Sequence, residues 1–121
     1  MVNFILVILA KLLYLAVEPF NFFYVILIKK KFTWKRLNGY FREEAVAIDR
    51  FGNSQYRSLF NAWFVAENGY QHGNINETIS SVLGKNQRDE KLTKVGKVLV
   101  YILNCIDKNH CLKSINENIR E

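Results

Sequence analysis

The sequence predicts an all-α protein: an N-terminal transmembrane or membrane-associated, Pro-kinked helix followed by a small bundle of about three helices. Three observations lead there. Phe4–Ile28 is a nearly continuous apolar run of 25 residues. Beyond Gly39 the apolar positions recur at steps of three and four, the period of a helix face rather than of a strand. A single proline in 121 residues leaves few breaks in such patterns. This length accommodates a hydrophobic helix with its basic flank (1–31), one small α-helical domain (32–115) and a tail (116–121) expected to fray.

The first helix would be about 37 Å long, enough to cross a bilayer core of about 30 Å with some tilt. Its 17 Ile, Leu, Phe and Val residues together favour insertion by about 5–10 kcal/mol. Lys11 and Glu18 each oppose it by up to about 3 kcal/mol, so insertion wins by a modest margin. Pro19 removes one internal hydrogen bond and predicts a kink near Tyr14–Pro19. The competing arrangement is a helix lying in the interface or in a protein groove, with arms Phe4–Val17 and Phe20–Ile28. A cleaved signal peptide is disfavoured, because the start MVNF lacks a basic region and no small-residue cleavage site precedes the lysines. Lys11, Tyr14, Glu18 and Asn21 fall on one stripe of this helix. Such a polar seam either faces a partner helix, from a second copy or another protein, or snorkels towards the two interfaces.

Lys29, Lys30, Lys31, Lys35 and Arg36 put five cations into eight positions, interleaved with Phe32 and Trp34. Half of the net charge of +6 belongs to residues 1–31, whereas residues 32–121 carry 13 basic against 10 acidic groups. The excess therefore gathers at the membrane edge, where it fits a positive-inside flank with an aromatic anchor. The expected partners are the lipid bilayer and proteins, or a second copy, met through the N-terminal helix. A nucleic-acid partner is not favoured by this charge distribution. The location implied is a virion membrane or bacterial inner membrane, with Met1–Asn3 outside and the body on the cytoplasmic or interior side.

Phe41, Ala45, Ile48, Phe51, Tyr56, Leu59, Phe60, Trp63 and Phe64 predict one helix of about 27 residues, bent at Gly52-Asn53 and closed by Asn68-Gly69 with Gly69 as the left-handed cap. Its aromatic stripe (Phe51, Tyr56, Phe60, Trp63, Phe64) is expected to be core. Asn74 with Glu77, or Asn76, reads as the start of a short helix carrying Ile79, Val82 and Leu83, with Gly84 as its stop. Residues 87–91 read as a solvated link. The last helix starts at Leu92 or Thr93, carries Val95, Leu99, Ile102, Leu103 and Ile106, and ends at Asp107.

Chemistry is sparsely signalled. The two cysteines, Cys105 and Cys111, fit a reducing compartment and require no disulfide. His110-Cys111 admits a thiol nucleophile, though adjacent residues do not usually turn their side chains towards each other. His72, Cys105, His110 and Cys111 are metal-ligand types, but their spacing matches no standard site. No phosphate-binding glycine motif occurs, and no metal or other cofactor is expected.

The blocks Asp49-Arg-Phe-Gly-Asn53, Gly73-Asn74-x-x-Glu77-Thr78-Ile79-Ser80-Ser81-x-x-Gly84-Lys85 and Asp107-x-x-His110-Cys111-x-Lys113-Ser114 resemble a group of small proteins encoded in tailed phages and prophages. Residues Ser54–His72 separate the first two blocks. The resemblance covers about residues 45–115. It implies a viral or prophage origin, and hence a virion component, an envelope protein or a lysis or exclusion accessory. It also implies that Asp49, Asn53, Glu77, Thr78, Ser80, His110 and Lys113 meet in one polar cluster. The expectation is a membrane-anchored phage or viral structural or accessory protein that packs against partners. The alternative is a small membrane-tethered enzyme using that Asp/Glu/Ser/His cluster.

Overall fold

The computed structural model describes residues 1–118. Among them are six α-helices and no named strand, so the class is all-α as the periodicity predicts. The chain forms two units, Met1–Arg42 and Glu43–Glu121.

In the first unit, α1 (Val2–Phe23) has no buried residue. Val2–Ile28, with a mean hydropathy of 1.8, is long and apolar enough to cross a membrane by length and composition. The helix continues through Pro19 and then widens into a single π-helical turn, Tyr24–Ile28. Arg36 deals with the carbonyls freed where the helix ends. Its guanidinium donates to Lys31 O at 3.0 Å, to Lys30 O at 3.1 Å, to Ile26 O at 3.4 Å and to Val25 O. A planar fork of donors suits several converging carbonyls, as a lysine would not. Arg36 sits at the start of α2 (Trp34–Gln55). The same turns of α2 place Tyr40 to accept from Asn21 Nδ2 at 3.1 Å and Phe41 to stack on Phe22 at 5.8 Å. These contacts close the unit around Ile26, its one buried side chain, and explain why it extends to Arg42 instead of ending at the lysines.

The second unit comprises the end of α2, then α3 (Arg57–Phe64), α4 (Ile79–Arg88), α5 (Lys94–Ile106) and the short α6 (His110–Lys113). The single long helix expected after Gly39 is thus two, separated at Tyr56 (φ −103°, ψ 23°). Gly52, Asn53 and Ser54 are weak helix formers, and Asn53 turns its amide into the body to donate to Asn74 O at 2.9 Å. The second of these helices also stops earlier than expected. Val65 is extended and bridges Leu92, with Ala66 N–H donating to Lys91 O at 2.7 Å. Asn68, not Gly69, takes the left-handed conformation, at φ 63°.

The core is Phe64, Leu83, Leu92, Val100 and Cys111, flanked by Phe60, Ile79, Leu99 and Leu103. Of the aromatic stripe only Phe60 and Phe64 reach it; Phe51, Tyr56 and Trp63 stay about half exposed. The α4 helix is longer than expected because Gly84 is not its stop. A Cβ there would lie 2.1 Å from Cys111 O, so the glycine is what lets α6 approach α4. Gly96 serves α5 likewise: a Cβ would stand 2.5 Å from Phe64 O. Thr93 caps α5, accepting Gly96 N–H at 3.1 Å, as its sequence position predicts. Of the tail expected to fray, Asn116 N–H donates to Ser81 Oγ at 2.9 Å and Glu117 pairs with Arg88 at 2.5 Å. Residues 119–121 lie outside the described residues.

Candidate functional site

The polar residues gather around the N-terminal turn of α4. Thr78 is its cap, with an extended backbone and a hydroxyl that accepts Ser81 N–H at 3.0 Å. From α2, Asp49 reaches the same turn. Its Oδ1 accepts Ile79 N–H at 2.6 Å and its Oδ2 lies 3.2 Å from Ser80 Oγ. Ser80 Oγ is 3.0 Å from His110 Nε2, and His110 Nδ1 is 3.0 Å from Asp107 Oδ2. Asp107 Oδ1 then accepts from Lys113 Nζ at 2.7 Å. The turn 107–110 makes this possible: Asn109 adopts a left-handed conformation and His110 N–H donates to Asp107 O at 3.0 Å.

Proton counting gives this line two forms. When His110 carries a proton only on Nδ1, it donates to Asp107 and accepts from the Ser80 hydroxyl. When both ring nitrogens are protonated, Nε2 donates to Ser80 and the serine turns its hydrogen to Asp49. Burial pushes the Asp49 carboxyl above its usual range against the helix amides and Ser80, which favour the charged form. Hydrogen bonds from Lys113 first, and then from His110, hold exposed Asp107 below the usual range.

In its first form the line is a serine nucleophile, a histidine base and an orienting carboxylate, the order used for acyl transfer. Acyl transfer also requires free donors where the oxyanion forms. The amides best placed for that, at the start of α4, already hold the Asp49 carboxylate. The observed arrangement therefore ties α2, α4 and α6 together, and these two amides are engaged by Asp49. Cys111 supplies no alternative nucleophile, since its side chain is fully buried in the core and burial pushes its thiol up to about 11.

Glu77 belongs to a second network. It is 1 % exposed and accepts from Tyr70 Oη at 2.8 Å, Ser81 Oγ at 2.6 Å and Lys85 Nζ at 2.7 Å. Lys85 is also buried and lies over the Tyr70 ring, 4.2 Å from its centre. Asn86 pairs with the Tyr70 backbone in both directions, and Asn61 does the same for His72, so two side-chain amides hold the 70–72 segment as a neighbouring strand would.

His72 and Asn53 form the third network. Asn53 Nδ2 is committed to Asn74 O, so its Oδ1 faces His72 Nδ1 at 2.7 Å and that nitrogen must carry the proton. Among the described residues the other ring nitrogen is buried without a partner, and the ring lies edge-on to Phe60 and Phe64. Burial lowers the His72 pKa to about 4, only partly offset by the charge of Glu77. A histidine depressed in this way stabilises the fold fully above its unfolded value of about 6.5 and progressively less as pH falls towards 4. Acidification across that window should cost about 3 kcal/mol. Asp49, raised, acts in the opposite sense: its contribution is present at low pH and is lost as pH rises through its elevated value. Denaturant unfolding in detergent micelles at pH 7 and pH 4.5 should show the loss in the wild type and a flatter dependence in His72→Gln.

The seven cluster residues expected from the sequence thus divide. Asp49, Ser80, His110 and Lys113 share one line, Thr78 caps the helix beside it, Glu77 holds a buried ion pair, and Asn53 serves His72. Tyr70, Ser81, Lys85, Asn86 and Asp107 complete these networks and were not singled out as part of the cluster. One signal was present: Ser81 and Lys85 are four apart and share a face of α4, and Glu77 stands four before Ser81, in the bend just ahead of the cap. Among the described residues no group of three or more His, Cys, Asp or Glu side chains could hold a metal ion. In the first unit, Lys29, Lys30, Lys31 and Lys35 are exposed, whereas Arg36 is committed to backbone carbonyls. Of the seam, Lys11, Tyr14 and Glu18 are exposed and Asn21 is engaged by Tyr40. No protein-family model, curated protein or solved structure matches the chain.

Proposed function

We propose that this chain is a membrane-anchored accessory or structural protein of viral or prophage origin. It acts by packing α1 against a partner helix in a host envelope or virion membrane. The observation that carries the reading is α1 itself: apolar along most of its length, with no buried residue, and bearing an exposed lysine and glutamate seven positions apart. Neither Lys11 nor Glu18 has an ion-pair partner among the described residues. In a bilayer both are costly until something pairs with them, which gives association a driving force. Exposed Lys29–Lys31 favour a cytoplasmic or interior body. Lys11→Leu/Glu18→Leu should still insert but should associate at least tenfold more weakly, as read by energy transfer between labelled copies or by recovery of partners after crosslinking. Unchanged association would refute the seam.

A second reading rests on one specific observation, the Ser80–His110–Asp107 line. A protein lacking residues 1–31 would keep any acyl-transfer activity, and a fluorophosphonate would label Ser80 in it and not in Ser80→Ala. The same truncation abolishes assembly on the first reading.

A further inference from the structure

One face of α5 is not absorbed by the fold. Gly96 and Val100 are buried and Leu99 and Leu103 pack on the core, while Val95, Val98, Tyr101, Ile102 and Ile106 are each at least half exposed. Cys105 is exposed among them. At 100° per residue these side chains fall in one arc of about 140°, shared only with Lys94 at its N-terminal end, the opposite of a helix that turns polar residues outwards. Lys94 and Lys97 are exposed on the same helix, Lys108 follows it, and no residue from Lys94 to Ile106 is acidic.

We propose that this face is a second membrane contact: α5 lies in the interface plane of a bilayer, with its apolar stripe at the acyl boundary and its lysines on anionic head groups. An exposed apolar stripe with one lysine at its N-terminal end and another along its flank, on a helix without acids, is the composition of an interfacial helix. A second copy of the chain fits less well. Thirteen residues give a helix about 20 Å long, too small a stripe for the roughly 800 Å² per partner of a stable interface. Paired α5 helices would also bring lysines together with no acid on either helix to meet them.

The inference rests on α1 anchoring the chain, and the test separates the two. Full-length protein is reconstituted into vesicles of phosphatidylcholine alone or with phosphatidylserine, and labelled from outside with a membrane-impermeant maleimide. Cys105 is the reporter, because Cys111 is buried and its thiol is pushed up to about 11. The expected result is slow labelling of Cys105 in phosphatidylserine vesicles. Labelling should become about fivefold faster for each of Lys94→Gln and Lys97→Gln, and faster again in high salt or in Val98→Asp. Vesicle-bound protein whose Cys105 reacts equally fast in both lipids would overturn the proposal. So would protection that ignores lipid charge and grows with protein density, which would mark a contact between copies. Failure of α1 as anchor has a different signature: the protein would not float with the vesicles at all.

Discussion

Lys85→Met should destabilise the body by about 3–5 kcal/mol, a large share of the stability of a domain this size. The side chain fits in volume, so the effect comes from charge. Glu77 is 1 % exposed and would keep its hydrogen bonds from Tyr70 and Ser81 while losing the cation 2.7 Å away. An uncompensated buried carboxylate must either remain charged at high cost or take up a proton. Adding Glu77→Gln removes that charge, and the double variant should recover at least half of the loss. Chemical denaturation of the four proteins of this cycle measures the coupling. A Lys85→Met variant within about 1 kcal/mol of wild type would mean that the pair contributes little.

Gly84→Ala is expected to be at least as damaging, by about 3 kcal/mol or more. Propensity alone predicts the opposite sign, since alanine is better than glycine inside a helix by about 1 kcal/mol. Sterics decide. The new methyl would meet Cys111 O at 2.1 Å and Cys111 C at 2.7 Å, and neither atom can move aside by rotating a side chain. The α6 helix must retreat, drawing Cys111 out of the core and His110 away from Ser80. Unfolding midpoints report the first effect, and the histidine ring resonances in NMR spectra report the second. A variant more stable than wild type would contradict the close approach of these two helices.

These two residues also show where the sequence was legible and where it was not. The apolar run, the helical class and the two ends of α5 were readable because each depends on local information: composition, a 3.6-residue period, and the cap Thr93. In the sequence Gly84 reads as a helix stop, whereas the reason for a glycine there is a backbone 27 positions away. The polar residues around Cys111, His110 and Lys113, give no sign of its burial, yet a single turn of helix is enough to bury one side chain and expose the next. The polar residues stand out in the sequence by type alone. Their division into three networks follows from Asp49 and Asn53, a helical turn apart on α2, reaching different partners: the start of α4 and His72. Lys85 gives no sign of burial in the sequence, because a lysine four positions after a serine is ordinarily solvated, and only its partner Glu77 reverses that expectation.

The central claim is that Val2–Ile28 crosses a bilayer and holds the helical body at one face. Alkaline extraction of membranes expressing the full-length chain, followed by protease treatment from each side, tests it most directly. The account predicts that the protein stays in the membrane pellet and that the body is digested only from the cytoplasmic or interior side. A protein released at high pH, and monodisperse as a monomer in detergent-free buffer, would contradict it.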